Sequence, residues 1–132
     1  MKIEHICKLM PLDPKYCVNS CIFCTQDMEL RVLPSRVKQG SLKRMKETID
    51  ALEGLDVHKV IIAGADPCQL DDNLIDLIEY IYLKGLEIKN IQTHARSFID
   101  KNFVRELQRV NRGFAVIAPI YGSTSEIHNR VV

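Results

Sequence analysis

Apolar residues along the chain switch between two rhythms. Lys59-Val60-Ile61-Ile62-Ala63 is a short β-branched run closed by Gly64, which predicts a strand buried on both faces. Leu74, Leu77, Ile78 and Ile81 then recur at i, i+3, i+4 and i+7, the spacing of one helix face. Asp71 or Asp72 is placed to cap that helix and Gly85 to end it. The alternation continues: Ile88 to Thr93 reads as a strand, and Asp100 to Val110 as a helix with Val104, Leu107 and Val110 on one face and Gly113 as its stop. Phe114 to Ala118 reads as another strand, and Ser123-Thr124-Ser125-Glu126 as a capping box opening one more helix. Upstream, Ser41 to Leu52 predicts a helix with Leu42, Met45, Ile49 and Leu52 inward, and Lys2 to Leu9 a first strand.

The order is β-α-β-α-β-α-β with the start of a further helix, at spacings that suit right-handed parallel crossovers. The expected fold class is therefore α/β with a parallel sheet. Parallel α/β proteins carry their sites on the loops that leave the carboxyl ends of the strands. Those loops hold the distinctive polar stretches: CVNSCIFC (Cys17 to Cys24), GADP (Gly64 to Pro67), THARSF (Thr93 to Phe98) and PIYGSTSE (Pro119 to Glu126).

Composition narrows the class. A chain of 132 residues fits one domain, and 46% hydrophobic with 27% charged residues is the balance of a globular protein. A net charge of +1 gives no field to recruit nucleic acid or an anionic membrane. A local basic excess, Arg31, Arg36, Lys38, Lys43, Arg44 and Lys46, reads as a solvated loop and helix face. The amino end has no apolar run of signal length and no 18-residue apolar span occurs, so a cytoplasmic location without membrane contact is expected. In that reducing compartment, five cysteines, an odd number, point to metal binding or catalysis before disulfides.

Spacings of three and two let one tight loop aim Cys17, Cys21 and Cys24 at a common point. Thiolates suit zinc, copper(I) or iron–sulfur clusters. A structural zinc ion would need a fourth ligand, for which Cys7, Cys68, His5, His58 and His94 are candidates. A [4Fe-4S] cluster on three cysteines would keep one iron open for a substrate or cofactor. A disulfide with one thiol left over, or three unconnected cysteines, are the remaining readings.

C-x3-C-x2-C with an aromatic before its last cysteine, on the loop after the first strand of a parallel α/β chain, resembles the radical S-adenosylmethionine (radical SAM) superfamily. The likeness covers essentially the whole chain. VIIAGADP resembles the family's second strand and its Gly-Gly-Glu-Pro motif, IQTHARSF its third strand ending in Thr-Asn-Gly, and IAPIYGSTSEIHNRVV its fourth strand with a Tyr-Gly turn and following His.

The resemblance implies that Cys17, Cys21 and Cys24 each bind one iron of a [4Fe-4S] cluster whose fourth iron is chelated by S-adenosylmethionine. Reduction would cleave the sulfonium to methionine and a 5′-deoxyadenosyl radical that abstracts hydrogen from a substrate. It also implies that Phe23 packs on the adenine, and that Gly64, Ala65, Asp66 and Pro67 meet the methionyl amino group through backbone acceptors and a carboxylate. Ala65 and Asp66 stand where the family has glycine and glutamate, and Thr93-His94-Ala95 departs further from its motif. Pro119, where many members place a serine, has no side-chain donor, and His128 reads as helix-start packing. Cys7 reads as a buried strand residue and Cys68 as packing near the rim.

The implied fold is part of a partial TIM-type barrel of about four strands, since a full barrel takes ~250 residues. The chain looks like a single core domain cut short at its carboxyl side. Implied partners are a small reductase, ferredoxin or flavodoxin, and a completing chain or carboxyl half. A non-catalytic metal-binding or assembly module, holding zinc or an iron–sulfur cluster, and an inactive fragment of such an enzyme are the alternatives.

Overall fold

Four strands form in the computed structural model, which describes residues 5–19, 21–24 and 35–131. They are β1 (Ile6–Leu9), β2 (Lys59–Ile62), β3 (Glu87–Gln92) and β4 (Ala115–Ile117), and the helices between and after them are α1 (Ser35–Asp50), α2 (Asp72–Leu83), α3 (Lys101–Val110) and α4 (Ser125–Asn129). The sheet is wholly parallel in the order β1-β2-β3-β4, with Cys7 opposite Val60, Val60 opposite Ile88 and Ile91 opposite Val116. This is an α/β fold whose sequential strand order is compatible with part of a β/α barrel. Helix α1 packs on α2 and α2 on α3, so successive crossovers share one face of the sheet.

That shared face is the core. Val60, Ile62, Leu74, Leu77, Ile78, Ile81 and Ile91 are fully buried, with Met45 and Ile49 from α1 and Phe103, Leu107 and Val110 from α3. Three sequence expectations need correction here. Strand β2 is buried on one face and only half-buried on the other, at Lys59 and Ile61, because helices cover a single side. Phe103, not Val104, takes the inward position on α3, with Val104 half-buried. Helix α1 starts at Ser35, running through Gly40 well ahead of Ser41. The expected first strand is found from Ile6, with Met1 to Glu4 outside the described residues.

Caps fix the element ends. Asp100 accepts from the amides of Asn102 and Phe103 at 2.8 and 3.4 Å, so it caps α3 from outside. The cap of α4 is Thr124, whose hydroxyl accepts from Ile127 N–H at 3.3 Å. The expected Ser123–Glu126 box is thus displaced by one residue, and Glu126 instead pairs with Arg130 at 2.6 Å. The basic stretch before and within α1 is put to structural use. Lys38 pairs with Asp71 at 2.5 Å, Lys46 lies over the Tyr80 ring, and Arg44 donates to the carbonyls of Met10 and Pro11 at 3.5 and 3.3 Å, which secures the chain as it leaves β1. Arg31 lies outside the described residues.

Candidate functional site

The loops after the four strands meet at one rim. After β1, buried Pro11 and Leu12 anchor the chain, and Asp13 caps a 3-10 turn, Pro14–Tyr16, whose end delivers Cys17. Cys24 N–H bonds Cys21 O at 2.9 Å, closing a turn that brings the last two cysteines together. Ile22 N–H donates to Val131 O at 2.8 Å, which ties this loop to the end of α4. Cys17 and Cys21 are half-buried and Cys24 is exposed, all as free thiols.

The thiols sense one another. Burial pushes the Cys17 thiol up, with the Asp66 and Cys24 charges adding to the rise and hydrogen bonds from Asn19 opposing it. Cys21 is raised by burial and then by the neighbouring charges of Cys17 and Cys24. Cys17 and Cys21 therefore resist ionising on their own, and a cation bound beside them would favour their thiolate forms. The donor chemistry therefore fits iron or zinc. Among the described residues, however, no three His, Cys, Asp or Glu side chains are gathered closely enough to hold a metal ion. Cys17 Sγ is turned to Asn19 Nδ2 at 3.7 Å, and Cys21 Sγ to His94 Nε2 at the same distance.

The second loop is a strained turn. Gly64 has φ +86°, a left-handed conformation that favours glycine, and a Cβ there would press on the flexible Met10 side chain, 2.7 Å from its Cε. Ala65 follows at φ 41° and, on the third loop, Ala95 has φ 60°. Left-handed backbone costs an alanine about 1 kcal/mol or more.

Asp66 is 0% exposed. Its Oδ1 accepts from Cys68 N–H at 3.2 Å and from the Thr93 hydroxyl at 2.5 Å, and its Oδ2 accepts from His94 N–H at 3.2 Å. The carboxylate caps the 3-10 turn Pro67–Leu70 and locks it to the end of β3. Pro67 is buried at the first position of that turn. GADP lies on the rim as expected and opens a 3-10 turn, and the Asp66 side chain faces protein donors.

An open pocket of about 310 Å³ lies at this rim, lined by Gly64, Ala65, Thr93, His94, Pro119 and Tyr121 among others. Phe23, 56% exposed, packs its ring on Tyr121 at 5.1 Å between centroids. Tyr121 in turn stacks on His128, whose Nδ1 accepts from Tyr121 N–H at 3.2 Å. His128 thus braces the Tyr121-Gly122 turn, and Gly122 admits α4, since a Cβ there would sit 2.6 Å from Ile127. Burial lowers the His94 pKa, with the Asp66 charge opposing and Arg96 and His128 assisting, so its imidazole is neutral at neutral pH. Its Nδ1 is buried without a hydrogen-bond partner among the described residues.

Cys68 is fully buried and its thiol is pushed up to about 12 by burial, which makes it inert packing. Cys7 is half-buried on β1. A hollow of about 370 Å³ beside His58 and Leu86 lies at the opposite end of the strands, away from the thiols. Sequence reasoning missed Gln69 and Asn19, both buried, the first against the cysteine loop and the second within it. Asn19 lies within CVNSCIFC, two residues from its partner Cys17, whereas Gln69 belongs to no motif and its partners Tyr16 and Val18 become neighbours only through folding.

No protein-family model, curated protein or solved structure matches this chain. No helix among the described residues is long and apolar enough to cross a membrane.

Proposed function

We propose that this chain is a radical SAM protein in which Cys17, Cys21 and Cys24 hold a [4Fe-4S] cluster and S-adenosylmethionine occupies the rim pocket. The observation that carries the reading is the meeting, on one rim of a parallel sheet, of a three-thiol loop with the left-handed Gly64-Ala65 turn. When bound, cluster and cosubstrate together supply one-electron cleavage of a sulfonium, leading to hydrogen abstraction from a substrate.

The chain's own residues have separate tasks. The three thiols supply three of four iron ligands, leaving the fourth iron to the cosubstrate. Gly64 and Ala65 line the pocket and bring backbone close to the ligand, while Asp66 holds the second and third loops together from behind its own hydrogen bonds. The Phe23–Tyr121 pair offers a flat apolar surface for the adenine. A small reductase, ferredoxin or flavodoxin, is the required electron source. The exposed edge of β4 is open to pairing with a further strand, in a completing chain or a carboxyl half.

A second reading, a closed zinc module with His94 as fourth ligand, is favoured by the 3.7 Å between Cys21 Sγ and His94 Nε2. Two ligands of one tetrahedral zinc lie about 3.5 Å apart, given its bond lengths to sulfur and nitrogen.

Anaerobic reconstitution followed by iron and sulfide counting, then incubation with S-adenosylmethionine and a strong reductant, separates the two. Bound iron and sulfide with 5′-deoxyadenosine as product support the first. Tightly held zinc that is lost on His94→Ala, with no cluster, supports the second. Cys21→Ala should abolish cluster uptake; unchanged iron in that variant removes Cys21 from the ligand set.

A further inference from the structure

Gln69 lies in the 3-10 turn directly after Asp66 and is buried. Both ends of its side-chain amide are used: Oε1 accepts from Val18 N–H at 2.9 Å and Nε2 donates to Tyr16 O at 2.9 Å. These backbone groups belong to the residues on either side of Cys17. A carboxamide donates and accepts at once, which neither a carboxylate nor an ammonium does. Gln69 N–H also bonds Asp66 O at 3.1 Å, so the segment around Cys17 is connected to Asp66 and from there to Thr93 and His94. Asn19, 1% exposed, directs its Nδ2 to Cys17 Sγ from the other side. The Cys21–Cys24 turn is held by its own backbone bond and by Ile22 to Val131, whereas Cys17, among the described residues, is the thiol whose two flanking residues are both bonded to one buried side chain.

We propose that Gln69 is a positioning residue that fixes Cys17 as the preformed ligand and couples the cysteine loop to the Gly64-Ala65-Asp66-Pro67 turn. The role in metal loading rests on the cluster reading above; the clamp on Cys17 does not.

The test compares the full chain with Gln69→Leu, which keeps apolar bulk and removes both bonds, and with Gln69→Glu. The glutamate keeps the shape and the acceptor for Val18 but sets an oxygen against Tyr16 O, and serves where the leucine variant unfolds. In metal-free protein, timed alkylation with peptide mapping should show Cys17 reacting about tenfold faster or more in Gln69→Leu, the population change for losing two ordinary hydrogen bonds. Cys21 and Cys24 should keep their rates, and Gln69→Glu should fall between. Unchanged Cys17 reactivity in a folded variant overturns the proposal, as does an equal rise at all three thiols. Anaerobic loading with ferrous iron and sulfide should then give less iron per chain in the variants. Absence of iron from the parent protein would sink the cluster reading and leave the alkylation result standing.

Discussion

Strands β2 and β4 are both short, apolar and β-branched, yet they have opposite surroundings. Val60 and Ile62 of β2 are fully buried, whereas all three residues of β4 are exposed, Ile117 at 47%. Nothing in the composition of the two runs separates them. The difference lies in position: β2 is flanked by strands on both sides and covered by helices, while β4 pairs with β3 and is followed by a helix of five residues. Strand burial is set by neighbours more than by intrinsic preference. The contrast continues onto the rim, where the turn after β2 is built around a buried carboxylate and the turn after β4 is held from the surface by His128.

The largest effect that sharpens this comparison comes from truncating the core strand. Ile62→Ala should cost about 2–5 kcal/mol in denaturant unfolding, against less than about 1 kcal/mol for Ile117→Ala. Equal costs would mean that β4 is covered in solution. On the rim, Asp66→Ala leaves the Thr93 hydroxyl and two amides without their acceptor and should cost about 2–3 kcal/mol.

Next comes a pH effect at Cys68. Its thiol is pushed up to about 12 in the folded chain from 9.0, so above pH 9 the unfolded chain releases a proton that the folded chain keeps. Stability should therefore fall as pH rises, by about 2 kcal/mol between pH 9 and about 10.5 from this group. Cys68→Ala should flatten that slope, and an unchanged slope would contradict the burial. The smallest effect is a gain. Ala65→Gly and Ala95→Gly relieve left-handed strain and should each raise stability by about 0.5–1 kcal/mol net of glycine's entropy. A loss on either substitution would mean that the methyl group packs usefully.

The order of elements was legible because strand and helix periods differ so plainly, as at Val60–Ile62 and Leu74–Ile81. Boundaries were less so. The first turns of α1, Ser35 to Gly40, carry little apolar periodicity, and at α4 two adjacent hydroxyl residues, Ser123 and Thr124, compete for one cap. At the candidate site, the thiols stood out by spacing and the GADP turn by its place after a strand and by resemblance. The inward use of Asp66 had a local signal, since an Asp before Pro at a turn start is a cap. Gln69 had none: its partners Tyr16 and Val18 are brought to it only by the pairing of β1 with β2.

The bond from Ile22 N–H to Val131 O has a practical bearing. It ties the thiol-bearing turn to the segment just after α4, so a fluorophore placed on the exposed Asn129 would report on that turn.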